Sequence, residues 1–173
     1  LFLILFLFFN FFQKNTDVLL ENDSDEILYK SNILKDVKYI TKDNDGNEYI
    51  IEALEGEIDF SNPNIIYLTK VNALIKIKNS DQIVILSDYG KYNSENFDTI
   101  FSKNVIIEYL NNKINGEYLD FSLKRNSMIV SKNVVYKNLN NSLKADVVEM
   151  NIKTKDTKIF MYEKDKQVNI NNQ

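Results

Sequence analysis

Residues 71–78, VNALIKIK, carry apolar side chains at every second position. Successive side chains of an extended chain point to opposite faces, so Val71, Ala73 and Ile75 share one face. Residues 105–110, VIIEYL, repeat this alternation. Both stretches predict β-strands with one buried face.

Turn-forming residues interrupt the chain at short intervals on both sides of these strands. Asn, Asp, Gly and Ser predominate in the interruptions, and these residues favour turns between strands. After residue 32, no run of twelve residues keeps the 3.6-residue apolar spacing of a helix. The predicted fold class is therefore all-β, with antiparallel strands joined by hairpins. Turns are expected at residues 43–46, 61–64, 79–81, 93–96, 111–112, 115–116, 125–127 and 138–142.

A faint internal repeat runs through the same region. Its first unit is SKNV at 102–105 and 131–134, with a shortened copy, TKV, at 69–71. Its second unit is IEAL at 51–54, ILSD at 85–88 and LKAD at 143–146. The repeat predicts a strand, a small-residue bend, a second strand, a turn and a third strand that ends in Val. A solenoid or propeller without a ligand, or coincidence in an Asn- and Lys-rich chain, are the alternatives.

Composition excludes several classes of function. The net charge is -4, and the Lys residues are spread along the chain without a basic stripe, so nucleic acid is not an expected partner. The chain has no Cys and no His, which removes thiol chemistry, the commonest general base and the commonest metal ligand. We predict no catalytic residue, no metal site and no cofactor.

The N-terminal twelve residues, LFLILFLFFNFF, contain a single polar residue, Asn10. A membrane-spanning helix takes about 20 apolar residues, so residues 1–14 are predicted to be the C-terminal part of a longer anchor. No Ala, Gly or Ser lies between Phe12 and Asp23, so we expect no signal-peptide cleavage. A buried core helix or strand is the alternative. The predicted domains are the anchor at 1–14, an acidic linker at 15–32, the β domain at 33–163 and a polar tail at 164–173.

The order of these pieces resembles the LptC family. The resemblance is carried by Val37-x-Tyr39, Asp45-Gly46-Asn47-Glu48-Tyr49, Ala53, Ile66-Tyr67-Leu68 with Val71, Ser87-Asp88-x-Gly90-x-Tyr92-Asn93, Val105, and Gly116 to Leu119. It implies an N-terminal transmembrane helix followed by an antiparallel open β-jellyroll, a twisted, two-sheet, solenoid-like fold. It also implies a single-pass protein of the bacterial inner membrane with its β domain in the periplasm.

The function that the resemblance implies is lipopolysaccharide transport. Such a carrier receives lipopolysaccharide from the subunits of an inner-membrane ABC transporter and passes it to the bridge protein LptA, which it meets through sheet edges. LptA-like bridge proteins share the sheet architecture and remain an alternative, although the uncleaved apolar segment favours LptC.

The acyl chains of the lipid would lie in an apolar cleft, since burying apolar surface contributes about 25 cal/mol per Å². The alternative for each lining residue is an ordinary core position. The predicted lining is Ala53, Val71, Ala73, Ile75, Ile83, Ile85, Val105, Ile107, Leu119, Phe121, Val134, Tyr136, Ala145 and Val148.

Three further interpretations concern charged residues and rival functions. A carbohydrate-active enzyme would need two carboxylates facing one cleft, whereas the candidates are interpreted as bend and turn residues. A structural or adhesive surface protein would have a filled interior. Lysines near the C-terminus could meet lipid phosphates or an acidic partner, or could discourage unplanned edge pairing. The carboxylates are Asp59, Asp88, Asp120 and Asp146, and the lysines are Lys153, Lys155, Lys158, Lys164 and Lys166.

Overall fold

Extended strands make up most of the chain that the structure describes. The computed structural model describes residues 32–43, 45–154, 156–163 and 168–172, and within these ranges no residue is helical. The predicted anchor at 1–14 and the predicted linker, apart from its last residue, lie outside the described residues. The all-β prediction is confirmed for the described part of the chain.

The described residues form eight long strands and two short ones, each antiparallel to its neighbours. The strands are β1 (Ile33–Lys42), β2 (Glu48–Ile58), β3 (Ile65–Lys76), β4 (Ile83–Asn93), β5 (Thr99–Tyr109), β6 (Asn112–Ser122), β7 (Ser127–Lys137), β8 (Asn141–Asn151), β9 (Thr157–Phe160) and β10 (Asn169–Asn172).

The strands follow one another in chain order across one continuous sheet, from β1 to β8. Both short strands pair with β8: β9 with residues 147–150 and β10 with residues 141–144. Among the described residues, β1 pairs with β2 alone, so the sheet is open. The predicted twisted pair of sheets is therefore one hydrogen-bonded sheet.

Each long strand crosses a bend near its middle. The bend is marked in the odd-numbered strands by residues in the left-handed backbone region, which costs an L-residue about 1–2 kcal/mol. β5 and β7 each have two successive left-handed residues, and the pairing register shifts on both sides of these strands, as expected of β-bulges. The left-handed residues at the bend are Asp36 (φ 50°), Lys70 (φ 55°), Lys103 (φ 61°), Asn104 (φ 52°), Lys132 (φ 66°) and Asn133 (φ 57°).

The bend divides the sheet into two halves. Half A comprises residues 37–42, 48–53, 71–76, 83–87, 105–109, 112–116, 134–137 and 141–145. Half B comprises residues 33–35, 55–58, 65–69, 89–93, 99–102, 118–122, 127–131 and 147–151. In β3 the buried residues nearest the bend are Leu68 before it and Val71 after it, three positions apart. The extra residue keeps the apolar face of both halves turned to the same side.

The two halves face each other across a shared interior. The rings of Tyr39 on β1 and Tyr92 on β4 lie 4.9 Å apart, and those of Tyr49 on β2 and Phe121 on β6 lie 6.1 Å apart. Three strand spacings within a flat sheet would put β1 about 14 Å from β4. The sheet must therefore fold back along the bend, which places half A against half B.

The interior is apolar and the outer surface is charged. Cross-strand ion pairs on the outside include Lys76 with Glu48 at 2.8 Å and Lys113 with Glu108 at 2.9 Å. Such exposed pairs add little stability but keep the outer surface polar. The buried polar residues of the described chain are Ser87, Thr99 and Ser122, none of which is charged.

The bend explains the internal repeat and corrects two details of its interpretation. The SKNV units are the bulges of β5 and β7, and the ILSD and LKAD units lie across from them in β4 and β8. Val105 and Val134 do not end a strand, because each follows a bulge in mid-strand. The predicted bend joins two parts of one strand, since the hydrogen-bonded ladder resumes after the bulge.

Two other expectations are also corrected. Asn115-Gly116, predicted as a turn, lies inside β6, where Gly116 lets β7 approach closely: an added Cβ would lie 2.8 Å from Val130 Cγ1. Residues 169–172 of the predicted polar tail form β10. A strand this short and polar depends on backbone pairing with β8, and alternation in its own sequence could not reveal it.

Candidate functional site

The fourteen residues predicted to line a lipid cleft converge on the inner face of the folded sheet. Twelve are buried, and Ile83 and Tyr136 are partly buried. The Tyr136 hydroxyl donates to Asn112 Oδ1 at 2.6 Å, which fixes its ring near the end of β7. The structure thus brings these residues together from seven strands, and lipid binding by them stays a prediction.

The sequence interpretation missed a comparable set of inner-face residues, most of them in half B. Those in half B follow the same alternation but lie one position out of phase with half A, because the bend adds a residue to the pattern. Pairs such as Ile66-x-Leu68 could have revealed them. The set comprises Tyr39, Tyr49, Ile51, Ile66, Leu68, Tyr92, Thr99, Phe101, Met128 and Val130.

Side chains from the two halves fill the interior almost completely. A cavity of about 20 Å³ lies between the ends of the halves remote from the bend, and its lining includes Thr41, Tyr49, Phe97 and Leu123. A cavity of this size holds about one water molecule. An acyl chain therefore fits between the halves only when they move apart.

Aromatic contacts close this side of the interior. Tyr39 stacks on Tyr92, and Tyr49 meets Phe121, so each contact joins half A to half B. Burial raises the pKa of Tyr39, with a further contribution from Tyr92, and burial also raises the pKa of Tyr92. Both phenols are therefore neutral at physiological pH.

Tyr49 is also held by a hydrogen-bonded turn. Its hydroxyl donates to Asp43 Oδ2 at 2.9 Å, and Asn47 donates to both carboxylate oxygens of Asp43, at 2.8 and 2.9 Å. Partial burial alone would raise the pKa of Asp43, but the hydrogen bonds from Asn47, Tyr49 and Asp45 outweigh it and hold the pKa below its usual value. Burial, followed by the bond to Asp43, raises the pKa of Tyr49. The turn therefore fixes the ring at the edge of the interior.

A second cavity, of about 220 Å³, lies directly outside this edge. It is bordered by the turn that contains Asp43, Asp45 and Asn47 and, on the other half, by Asn126 and Lys153. Tyr49 and Leu123 line both this cavity and the interior one. They form the wall between a polar space outside and an apolar space inside.

A shallower groove of about 450 Å³ lies on the outer surface at the bend of β1 to β3. Its walls include Lys38 and Glu52, whose side chains form an ion pair at 2.7 Å. The lining of the groove shares no residue with the lining of either cavity described above. Its charged walls make it a poor site for an acyl chain.

Asp59 has the predicted turn role, because it accepts hydrogen bonds from Ser61. Asp88 and Asp146 lie at the bend within β4 and β8, as predicted, where Asp88 joins Lys70 to Asn104 and Asp146 accepts from the Tyr162 amide. Asp120 lies within β6 away from the bend and pairs with Arg125 at 2.7 Å. The described part of the chain contains no group of three or more acidic residues placed to hold a metal ion. Among the described residues, no helix is long and apolar enough to cross a membrane.

Comparison with known proteins assigns the folded sheet to a family. No curated protein matches the chain. Residues 1–168 match the family described as "Lipopolysaccharide-assembly, LptC-related". The match covers almost the whole sequence, including the apolar N-terminal segment. The chain therefore belongs to the LptC-related lipopolysaccharide-assembly family and takes part in lipopolysaccharide transport.

Proposed function

We propose that this protein is a membrane-anchored periplasmic carrier with an open β-jellyroll domain. It receives lipopolysaccharide from an inner-membrane ABC transporter and passes it to an LptA-like bridge protein. The observation that carries this proposal is the uncharged inner face, which runs through both halves of the folded sheet. No catalytic step is required, because transfer between carriers moves the lipid without changing its covalent bonds.

Binding of an acyl chain exchanges one apolar contact for another. In the closed state, half A packs against half B through residues such as Leu68, Phe101 and Leu119. Opening the halves to water would cost about 25 cal/mol for each Å² of apolar surface exposed. An acyl chain that enters as the halves part keeps these side chains out of water. Lipid thus stabilises an open state that water does not.

The edges of the sheet support exchange with neighbouring proteins. The outer edge of β1 has no paired strand among the described residues, whereas β9 and β10 cover the outer edge of β8. An unpaired strand edge offers backbone donors and acceptors to an added strand. We expect a photo-cross-linking amino acid at Ile40 on β1 to trap a transport partner. The same group at Tyr67, exposed in the middle of the sheet on β3, is the matched control.

The carrier function is tested by photo-cross-linking from the inner face. Ile107 is buried, and Glu108, its neighbour on β5, is exposed on the opposite face. Illumination of cells should give lipopolysaccharide adducts from position 107 and not from position 108. Equal labelling, or no labelling from any inner position of a folded protein, would contradict the carrier function.

A structural or adhesive sheet protein is the second candidate, since the filled interior suits it. It predicts no lipopolysaccharide adduct from position 107, so the same experiment separates the two. An LptA-like bridge protein would give the adduct without a membrane anchor. Mass spectrometry of the membrane fraction tests the anchor, and a mature N-terminus between residues 13 and 32 would contradict it.

A further inference from the structure

Two side chains form the wall between the two cavities. Tyr49 and Leu123 separate the apolar interior cavity from the outer cavity of about 220 Å³. Tyr49 belongs to half A and Leu123 follows β6 of half B, so separation of the halves breaks the wall at this point. The buried Tyr49 ring occupies the space through which the two cavities would join.

In the closed sheet Tyr49 is a buried member of the apolar core. Its hydroxyl donates a hydrogen bond to Asp43, and its ring meets Phe121 at 6.1 Å between centroids. Asp43 keeps the bonds from Asn47 and from the Asp45 amide whether or not Tyr49 is present. The turn can therefore stay folded when the ring swings away.

The outer cavity combines apolar and polar walls with an excess of negative charge. Ile77, Leu123 and Ile152 supply apolar surface. Asp43 and Asp45 supply two carboxylates against the single ammonium of Lys153. This balance disfavours a phosphate group and suits uncharged groups that donate hydrogen bonds.

On the basis of the carrier function proposed above, we propose that Tyr49 is the gate through which an acyl chain passes into the interior. The outer cavity then holds the uncharged, hydroxyl-bearing part of the lipid that adjoins the chain. Phosphate groups of the same lipid lie outside this cavity. Tyr49 is a positioning residue, and the interior behind it remains the binding surface.

The route is tested with the full-length protein and purified lipopolysaccharide. A photo-cross-linking amino acid at Leu123 should give lipid adducts together with those from position 107. Adducts from position 107 without any from position 123 would overturn the route and leave the carrier function standing. Absence of both would instead contradict the carrier function.

The gate is tested by the rate at which adducts form from position 107. Tyr49→Ala should raise this rate several-fold, and Tyr49→Phe, which keeps the ring but loses the bond to Asp43, should give a smaller increase. Tyr89→Ala, on the outer surface, is the control and should leave the rate unchanged. If Tyr49→Ala fails to fold, Tyr49→Phe decides the question. An unchanged rate in the folded variants would overturn the gate.

The selectivity of the outer cavity is tested by competition at position 123. Dodecyl glucoside should reduce lipopolysaccharide adducts at lower concentration than dodecyl phosphate, both below their micelle-forming concentrations. Asp45→Lys should improve competition by dodecyl phosphate roughly fivefold, as expected for about 1 kcal/mol from one surface charge. Asp81→Lys, in the neighbouring turn, is the control. Equal competition by the two detergents in the unchanged protein, or no effect of Asp45→Lys, would overturn the proposed selectivity.

Discussion

The substitution Gly116→Ala tests whether the close approach of β6 and β7 at the bend requires a residue without a side chain. An ideal Cβ at this position would lie 2.8 Å from Val130 Cγ1 and 3.4 Å from the Ser131 carbonyl oxygen. Val130 is 1% exposed, and a β-branched side chain has few χ1 alternatives. Gly116 does not have a positive φ, so crowding and not backbone strain decides the effect of Gly116→Ala.

Gly116→Ala should lower the free energy of unfolding by about 1–2 kcal/mol. Overpacking of a filled core costs about 1–3 kcal/mol. Replacing glycine also restricts the unfolded chain, which raises the free energy of unfolding by about 0.4–1 kcal/mol. Urea unfolding followed by far-ultraviolet circular dichroism measures the difference as a lower midpoint at unchanged slope. The same change at Gly90, where the nearest atom is Val71 Cγ2 at 3.1 Å, should cost less.

A double variant isolates the crowding. In a Val130→Ala background the atom that meets the new Cβ is absent, so Gly116→Ala should cost almost nothing there. The difference between the costs of Gly116→Ala in the two backgrounds is the coupling energy between positions 116 and 130. An equal cost of Gly116→Ala in both backgrounds would refute the argument from the 2.8 Å contact.

Three further changes probe the turns and the closed edge. Leu110→Gly should raise the free energy of unfolding by up to about 1 kcal/mol, because Leu110 is held at φ 52° and left-handed backbone is costly for an L-residue. Joining Tyr39→Cys to Tyr92→Cys with a short thiol-reactive linker should lower lipopolysaccharide adducts from position 107, since it holds the halves together. The pKa of Asp43 is lowered in the folded state, so its contribution to stability is present above pH 3.8 and is lost as the pH falls through the folded value. Asp43→Asn should therefore lose less stability below pH 3.8 than the unchanged protein, as measured by urea unfolding across that range.

Each of these has a control or a contrary result. Leu139→Gly, at an exposed turn residue without positive φ, should bring no gain, and an equal gain would contradict the backbone explanation. Linking Tyr67→Cys to Tyr89→Cys on the outer face should not affect the adducts, and a similar loss there would point to the chemistry of linking. If the free energy of unfolding falls equally with pH in Asp43→Asn and in the unchanged protein, the carboxylate does not stabilise the turn.

Alternation of apolar residues was sufficient to predict the class of fold, and turn-forming residues were sufficient to predict most turns. The turn at 43–46 has Gly46 where the backbone adopts a positive φ, at 86°. The prediction failed at Asn115-Gly116, because the same two residue types also serve a strand that another strand approaches closely. Turn composition is thus a local signal that packing can override.

Most residues of the predicted lining lie in half A, and most of the inner-face residues that the prediction omitted lie in half B, for a physical reason. A single phase of alternation was extended through each region, but a left-handed residue such as Lys70 shifts the phase within a strand. Leu68 and Val71 are both buried although they are three residues apart. The Lys-containing repeat marked the position of the shift without showing its geometry.

The apolar face of each strand and most strand ends can be read from the sequence alone, because these properties depend on residues adjacent along the chain. The fold-back of the sheet, the contact of Tyr39 with Tyr92 and the position of Tyr49 between an apolar cavity and a polar one became visible only in the folded structure. Those contacts join residues that are distant in sequence, and they arise because an open sheet with one apolar face and no covering helix in the described chain must bury that face against itself.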